Sequence, residues 1–414
     1  MFILGFVTTI AIVTTLVHLY LWKRLVRDTL RPGRARRAGG FAVLALALLI
    51  PGTFVAGRNG VTWLAWPGYL WLALMFYLLV VLLVLELPVL VARLAFRRRT
   101  RAAEAPVPAL VGASTSDGPQ ATVAPPEAPP EAPDAPPTPP SLDRRLLLAR
   151  GAAITAGLVA LGTTAYGVRT ALGPPVVRRV RIPLAKLDRG ADGLRIALVS
   201  DIHLGPILGR GHTERIVRTI NGLDADLVAI VGDLVDGSVA ELGAAAEPLS
   251  QLRSRRGSYF VTGNHEYFSG YEQWIDEVRR LGLRPLRNER LEIGSIDLAG
   301  VNDVNGRQYG DGPDFGQALD GRDPARPVVL LAHQPVQVHE SARHGVDLQL
   351  SGHTHGGQMY PFHYMVKATG QPVLSGLTRV DGTALYVTRG AGFWGPPVRV
   401  GAPPDITLVE LRTT

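Results

Sequence analysis

Long apolar runs dominate the first hundred residues. Phe2 to Trp22 is almost uncharged and is long enough to cross a hydrocarbon core of about 30 Å as a helix. Gly39 to Gly57 is a shorter apolar run. A third, from Trp63 to about Val91, opens with aromatic residues of the kind found at membrane interfaces. The pattern predicts a three-span transmembrane region within residues 1–100.

The basic residues between these runs predict an orientation. They follow the first and third runs, whereas Arg58 alone follows the second: Lys23, Arg24, Arg27, Arg31, Arg34, Arg36 and Arg37, then Arg93, Arg97, Arg98, Arg99 and Arg101. Because basic loops stay on the cytoplasmic side, the N-terminus is expected outside and residue 100 inside. Residues 1–150 hold 16 basic and 8 acidic side chains, and the remainder holds 27 of each. The formal excess of +8 therefore lies in the first part, which excludes a generally basic protein that coats nucleic acid.

A proline-rich segment separates this region from the rest of the chain. Residues 101–142 contain 12 of the 32 prolines and are predicted to be a disordered linker. Residues 143–172 then combine Arg144-Arg145 with an apolar stretch from Gly151 to Leu172. They fit either a fourth transmembrane segment or a signal anchor that resembles a twin-arginine signal placed internally. If this segment crosses the membrane, everything after residue 173 lies outside the cytoplasm.

Beyond residue 190 the pattern changes to short apolar runs that alternate with helix-like segments. The predicted strands are Leu194 to Ser200, Leu227 to Val231, Tyr259 to Thr262, Val328 to Ala332 and Asp347 to Ser351. Later runs, namely Leu291 to Val301, Ala384 to Thr388 and Ile406 to Arg412, lack intervening helices. The pattern predicts an α/β catalytic domain over residues 173–414, with a mixed sheet or a second sheet packed on the first.

Each of the five predicted strands ends at potential metal ligands. In chain order these are Asp201 and His203, Asp233 and Asp236, Asn264 to Glu266, His333, and His353 and His355. Ligands of open α/β sheets bind at the carboxyl ends of the strands, so these groups are expected to converge. Alternation along an extended chain would put Asp201 and His203 on one side, and likewise His353 and His355. The chain has no cysteine, and a set of oxygen and imidazole donors favours Mn, Fe or Zn.

The ordered motifs D-x-H, G-D-x-x-D, G-N-H-E, H and G-H-x-H resemble those of the calcineurin-like metallophosphoesterase superfamily. The longer form G-H-T-H-G-G-Q, with the tail Gly395 to Arg399, resembles its bacterial membrane-associated branch. The resemblance implies a four-layer α/β/β/α sandwich and two divalent metal ions. One ion would be held by Asp201, His203 and His355, and the other by Asn264, His333 and His353. Asp233 would bridge the two.

The resemblance also implies a mechanism. A hydroxide bridging the metals would attack phosphorus, His265 would protonate the leaving oxygen as general acid, and Asp236 would orient His265. Glu266 is expected to be structural rather than a member of the site. Gly237 stands where phosphoprotein phosphatases of this superfamily carry arginine, which disfavours a protein phosphatase. Aromatic residues near the motifs predict an apolar lip instead: Tyr267 and Phe268, Tyr360 to Tyr364, and Phe393 and Trp394.

These features predict a membrane-anchored phosphoesterase that hydrolyses phosphodiester or pyrophosphate bonds of lipid or cell-envelope substrates. Its catalytic domain would lie outside the cytoplasm and its partner would be the lipid bilayer. No nucleic acid is expected, and no protein partner is indicated. The alternative is a membrane receptor or scaffold that binds metal or a phospholigand without turnover. The presence of every expected ligand and of the pair His265 and Asp236 disfavours it.

Overall fold

The computed structural model of the protein describes residues 2–58, 61–103 and 144–414, so most of the predicted linker 101–142 lies outside the described residues. Four long helices come first: α1 (Phe2–Leu21), α2 (Arg34–Arg58), α3 (Ala65–Ala103) and α4 (Arg144–Leu172). Within the described residues, three stretches are long and apolar enough to cross a membrane: Arg34–Gly57, Ala65–Val91 and Leu146–Leu172. The second, third and fourth predicted runs are thus helices of membrane-crossing length and composition, and the first run forms α1.

The chain divides into two compact units, Met1–Ala47 with Tyr77–Ala160, and Leu48–Phe76 with Leu161–Thr414. In the first unit, Glu86 of α3 accepts a hydrogen bond from the Tyr20 hydroxyl at 2.7 Å. The same carboxylate lies 2.9 Å from Nε of the buried Arg24. Pairing of this kind compensates for the cost of placing charged groups among apolar helices.

The second unit contains two six-stranded sheets. The strands are β1 (Val176–Leu184), β2 (Arg195–Val199), β3 (Leu227–Val231), β4 (Ser258–Val261), β5 (Arg284–Pro285), β6 (Glu289–Ile293), β7 (Ile296–Gly300), β8 (Val328–Leu331), β9 (Leu348–Ser351), β10 (Gly376–Val380), β11 (Thr383–Val387) and β12 (Asp405–Thr413). The first sheet has the order β1-β12-β2-β3-β4-β5 and the second has the order β10-β11-β9-β8-β7-β6. Strands β2, β3 and β4 are parallel neighbours, as are β7, β8 and β9, so their carboxyl ends lie at common edges.

Helices cover the outer faces of both sheets. They are α5 (Arg210–Asn221), α6 (Val239–Ala246), α8 (Tyr271–Arg280), α9 (Phe315–Leu319) and α10 (Val338–Arg343). Two short helices, α7 (Asn264–Phe268) and α11 (His363–Lys367), follow the strand-end motifs instead. Apolar side chains of the two sheets meet in one core, for example Leu198 from β2 and Leu331 from β8. Trp274 of α8 packs on the outside of the first sheet, and Phe315 of α9 on the outside of the second. The predicted four-layer α/β/β/α sandwich is confirmed.

Two details of the predicted strands were wrong. Leu291 to Val301 is not one strand, because the chain turns at Gly294, where φ is +58°, and forms the hairpin β6–β7. The sequence pattern also missed β1, β5 and β10, each of which lies at an edge of its sheet. Natural edge strands carry charged residues, as β1 does at Arg178, Arg179 and Arg181, and this weakens their apolar pattern.

Candidate metal centre

Several predicted ligands that follow the strands have a left-handed backbone conformation. Asp201, His203, Asp233, His353 and His355 all have φ between +49° and +71°. This conformation costs a residue with a side chain about 1 kcal/mol or more, and such strain clusters at functional sites. Strand β2 ends before Asp201 and β9 ends before His353, so the predicted extended alternation was wrong. Left-handed turns, not the pleat of a strand, orient these side chains.

One group of donors consists of Asp201, His203 and His355, whose ligand atoms lie within 4.8 Å of one another. Nε2 of His203 lies 3.1 Å from Nε2 of His355, and Nε2 of His355 lies 3.4 Å from Oδ1 of Asp201. All three side chains are buried. The backbone amide of His353 donates to the Asp201 carboxylate at 3.0 Å, which connects the first strand end to the last.

A second group consists of Asp233, His333 and His353. Oδ2 of Asp233 lies 3.1 Å from Nε2 of His333 and 3.8 Å from Nε2 of His203 in the first group. Asn264 joins through Oδ1, which is 3.2 Å from Nε2 of His333. The structure therefore brings together all seven residues predicted as metal ligands, with Asp233 between the two groups. It separates His353 from His355, which face different groups.

His265 and Asp236 form a pair beside these groups. Oδ1 of Asp236 lies 2.6 Å from Nδ1 of His265 and 3.0 Å from Nδ1 of His203. Nε2 of His265 lies 4.0 Å from Oδ2 of Asp233. Burial by itself would lower the pKa of His265, but the carboxylates of Asp233 and Asp236 outweigh it and raise that pKa to about 9. Burial by itself would raise the pKa of Asp236, but the imidazoles of His203 and His265 outweigh it and lower that pKa.

The donor set fits divalent cations. Burial raises the pKa of Asp201. Asp201 and Asp233 are both buried, and without nearby positive charge it is costly to ionise two buried carboxylates together. Burial also lowers the pKa of His353 to about 3, which leaves its imidazole neutral, the form that binds metal. Neutral imidazoles, carboxylates and one amide oxygen are ligands of Mn, Fe and Zn. Asp201, His203 and His355 could hold one ion, and Asn264, His333 and His353 another, with Asp233 shared.

Glu266 is structural in a specific way. Its fully buried carboxylate accepts hydrogen bonds from the backbone amides of Gly263 at 2.6 Å, Leu234 at 2.7 Å and Asp233 at 3.0 Å. It therefore joins the turn that carries Asp233 to the turn that carries Asn264. Burial and the nearby Asp233 carboxylate raise the pKa of Glu266 to about 7.

Arg399 is a positioning residue that the sequence reasoning missed. Its guanidinium is completely buried and lies 3.1 Å from Nδ1 of His355. It also donates to the carbonyl oxygens of His355 at 2.8 Å and Arg389 at 2.9 Å, and to that of Gly392. The available signal was a single charge within the apolar run Gly-Pro-Pro-Val-Arg-Val. The guanidinium fixes the ring of His355 and the loop that follows β11.

The aromatic residues of the predicted lip divide into two classes. Tyr267 and Phe393 are buried, so their assignment to the lip was wrong. Phe268 is 64% exposed and Trp394 is 55% exposed, and their rings lie 5.8 Å and 6.3 Å from that of His265. The side chain of Gln358 holds Trp394, donating to its carbonyl at 2.9 Å and accepting from its amide at 3.1 Å. Two exposed rings thus flank the proposed general acid.

Comparison with known proteins agrees with this geometry. Residues 194–357 match the family described as Calcineurin-like phosphoesterase. An uncharacterized metallophosphoesterase of Helicobacter pylori is 40% identical over 257 residues, which are 61% of this chain and 68% of that protein. The chain belongs to the calcineurin-like metallophosphoesterase family. All seven predicted ligands of this metallophosphoesterase lie inside the matched region, whereas Trp394 and Arg399 lie beyond it.

Other relatives connect the family domain to membranes. A zebrafish (Danio rerio) protein named transmembrane protein with metallophosphoesterase domain is 41% identical over 261 residues, which are 60% of this chain and 60% of its own length. A cattle (Bos taurus) protein of the same name is 39% identical over 289 residues, 66% of this chain and 65% of that protein. The metallophosphoesterase thus spans less than two thirds of these two relatives. Together with the three apolar helices among the described residues, the likeness identifies it as membrane-associated.

Proposed function

We propose that this metallophosphoesterase is a membrane-anchored enzyme that uses two divalent ions to hydrolyse phosphodiester or pyrophosphate bonds of lipid or cell-envelope substrates. The observation that carries the proposal is the convergence of both donor groups with the pair His265 and Asp236. When bound, the cations would neutralise charge on the phosphoryl group and lower the pKa of a water nucleophile. The positive-inside pattern supports a catalytic domain outside the cytoplasm.

The side chains of the site suit this chemistry. Asp236 engages Nδ1 of His265, which leaves Nε2 on the side of Asp233 to carry a proton. Burial opposes protonation of this imidazole, but the Asp233 and Asp236 carboxylates raise its pKa and favour the protonated form that can donate to a leaving oxygen. Glu266 and Arg399 hold the turns in place and do not touch the reacting atoms. His265 is the proposed general acid, and Asp236 is its positioning residue.

Phosphodiesterase turnover is the direct test. The full-length protein, purified in detergent and loaded with Mn²⁺ or Zn²⁺, should hydrolyse bis-p-nitrophenyl phosphate, and chelation should abolish the activity. His265→Asn serves as the matched control, since it removes the acid and keeps every proposed ligand. Stoichiometric metal binding without turnover on diesters, pyrophosphates or lipid phosphates would favour a non-catalytic receptor.

The exposed rings predict how substrates are captured. Trp394→Ala should raise KM severalfold for an amphipathic diester and leave kcat nearly unchanged, because contacts made equally in the ground and transition states affect binding more than rate. Hydrolysis of a small nitrophenyl ester should barely change. Tyr309→Ala is the control, since this exposed ring contacts Tyr267 and Tyr271 and not His265. Equal effects of Trp394→Ala on both substrates, or faster hydrolysis of phosphoserine peptides than of any diester, would contradict the proposed substrate class.

A further inference from the structure

Residues 360–365 follow the G-H-T-H-G-G-Q motif and run into the first turn of α11; this segment, called the 360–365 loop, carries several exposed apolar side chains. Tyr360 is 54% exposed, and Tyr364 and Met365 are each 62% exposed. Large apolar side chains that gather in one exposed segment mark an interaction site or a membrane contact. The sequence predicted that this loop captures substrate, but its ring contacts with α3 indicate a different role.

The ring of Phe362 in this loop meets helix α3. It packs edge-to-face on Phe76 with ring centroids 6.0 Å apart, and both residues belong to the same compact unit. Tyr69 lies seven residues before Phe76, about two helical turns, and so occupies the same side of α3. The side of α3 that carries Phe76 therefore faces the catalytic domain.

The length of α3 places this contact near a membrane surface. Its 39 residues extend about 58 Å at about 1.5 Å per residue, whereas a hydrocarbon core is about 30 Å thick. The basic cluster that begins at Arg93 marks the cytoplasmic boundary. About 20 residues earlier the helix reaches the opposite boundary, so Phe76 lies just inside it and Tyr69 just beyond it. A loop in contact with Phe76 lies at the depth of the interface.

We propose that the 360–365 loop inserts into the outer leaflet beside α3 and holds the metal centre at the level of the lipid headgroups. The occupant of its exposed face is the bilayer, because the loop continues a surface that a membrane helix already occupies. Tyrosine suits this depth, since its ring is apolar and its hydroxyl is polar. Lys367, which follows the loop and is exposed, can extend its ammonium to the headgroup phosphates. The insertion does not depend on catalysis.

The absence of cysteine from the chain allows a direct measurement of depth. Tyr364→Cys and Met365→Cys would each carry a single nitroxide label in the full-length protein, reconstituted in phosphatidylethanolamine–phosphatidylglycerol vesicles. Electron paramagnetic resonance then compares collisions with oxygen, which concentrates in lipid, and with a nickel chelate, which stays in water. Asp276→Cys on α8 is the control, because its side chain is 79% exposed.

Labels at residues 364 and 365 should collide with oxygen at least several times more than the control label does, relative to the nickel chelate. Accessibility to the chelate equal to that of the control would overturn the proposal. Shielding from both reagents would also overturn it, because the loop would then be covered by protein, such as a second copy. Hydrolysis of the nitrophenyl diester by each labelled protein reports separately on folding and on the proposed function.

Discussion

Oδ1 of Asp236 contacts two histidines that have different proposed roles. His203 belongs to a donor group, and His265 is the proposed acid. A substitution at Asp236 would therefore disturb metal binding and proton transfer together, and could not separate them. Single substitutions at Asp233 and at His265 can separate them.

Asp233→Asn and His265→Asn should behave differently. Asp233 supplies the negative charge between the two donor groups, so its removal should lower the bound metal and abolish hydrolysis. His265→Asn should retain both metals and lose rate by about 10² to 10⁴, the range for loss of a general acid. Elemental analysis of the purified proteins and diester turnover give the two readouts. Equal metal loss in both variants would refute the assigned roles.

The burial of His212 predicts that the folded protein loses stability in acid, independently of metal binding. Burial, helped by Arg215 and Arg399, lowers its pKa from 6.5 to about 4. The unfolded chain therefore takes up a proton below pH 6.5 that the folded protein refuses until about pH 4, so stability falls as the pH falls through this window. The loss from pH 7 to pH 5 is about 2 kcal/mol.

His212→Gln should remove most of this loss. The wild-type melting temperature should drop by more than that of the variant between pH 7 and pH 5, with both proteins measured in the same detergent. Because the substitution also alters packing, only the difference between the two pH values is compared. An identical drop in both proteins would show that His212 does not contribute.

At the scale of elements, helix α4 continues into the catalytic fold through a close contact. A Cβ atom on Gly167 would lie 2.4 Å from Cγ1 of Val398, and the Gly167 carbonyl accepts from the Arg399 amide at 3.0 Å. Ala171, one turn further on, packs with Leu208 and Phe393. The last turns of α4 thus support the loop that carries Trp394 and Arg399.

Gly167→Ala should loosen this support. The added methyl group displaces Val398 and should lower both thermal stability and turnover of the amphipathic diester. Gly162→Ala on the same helix is the control, because nothing lies within 4 Å of its added Cβ. That change should be neutral or slightly stabilising, as alanine favours a helix over glycine by up to about 1 kcal/mol. Equal melting temperatures for the two variants would contradict the packing argument.

The same elements show what the sequence could predict. Strands β2, β3 and β4 were identifiable because both of their faces are buried, and the polar residues after them indicated the site. The left-handed turns could not be predicted, since nothing local distinguishes Asp201 or His353 from an extended residue. The role of Arg399 depends on its contact with His355, which lies 44 positions earlier in the chain. Such contacts exist only once the sheets have packed.

At the scale of the whole molecule, the arrangement of the second compact unit bears on topology. It joins Leu48–Phe76, which contains the turn between the second and third predicted spans, with the catalytic domain. The positive-inside pattern predicts the same side, outside the cytoplasm, for both. A reporter fused at residue 120 should therefore be cytoplasmic, and one fused at residue 180 extracytoplasmic. Reporters on the same side would mean that Leu146–Leu172 does not span.

The pairing of β1 with β12 has a consequence for biogenesis. β1 follows α4 directly, yet its partner in the first sheet is the last strand of the chain, with pairs such as Arg181 and Glu410 that are 229 positions apart. The polypeptide as far as β12 must therefore emerge from the ribosome before this sheet can close. Until then β1 and β2 expose unpaired edges, and such late, distant pairing slows folding and invites aggregation. Truncations that remove β12 should yield products that the cell degrades, although every proposed metal ligand precedes β12 in the chain.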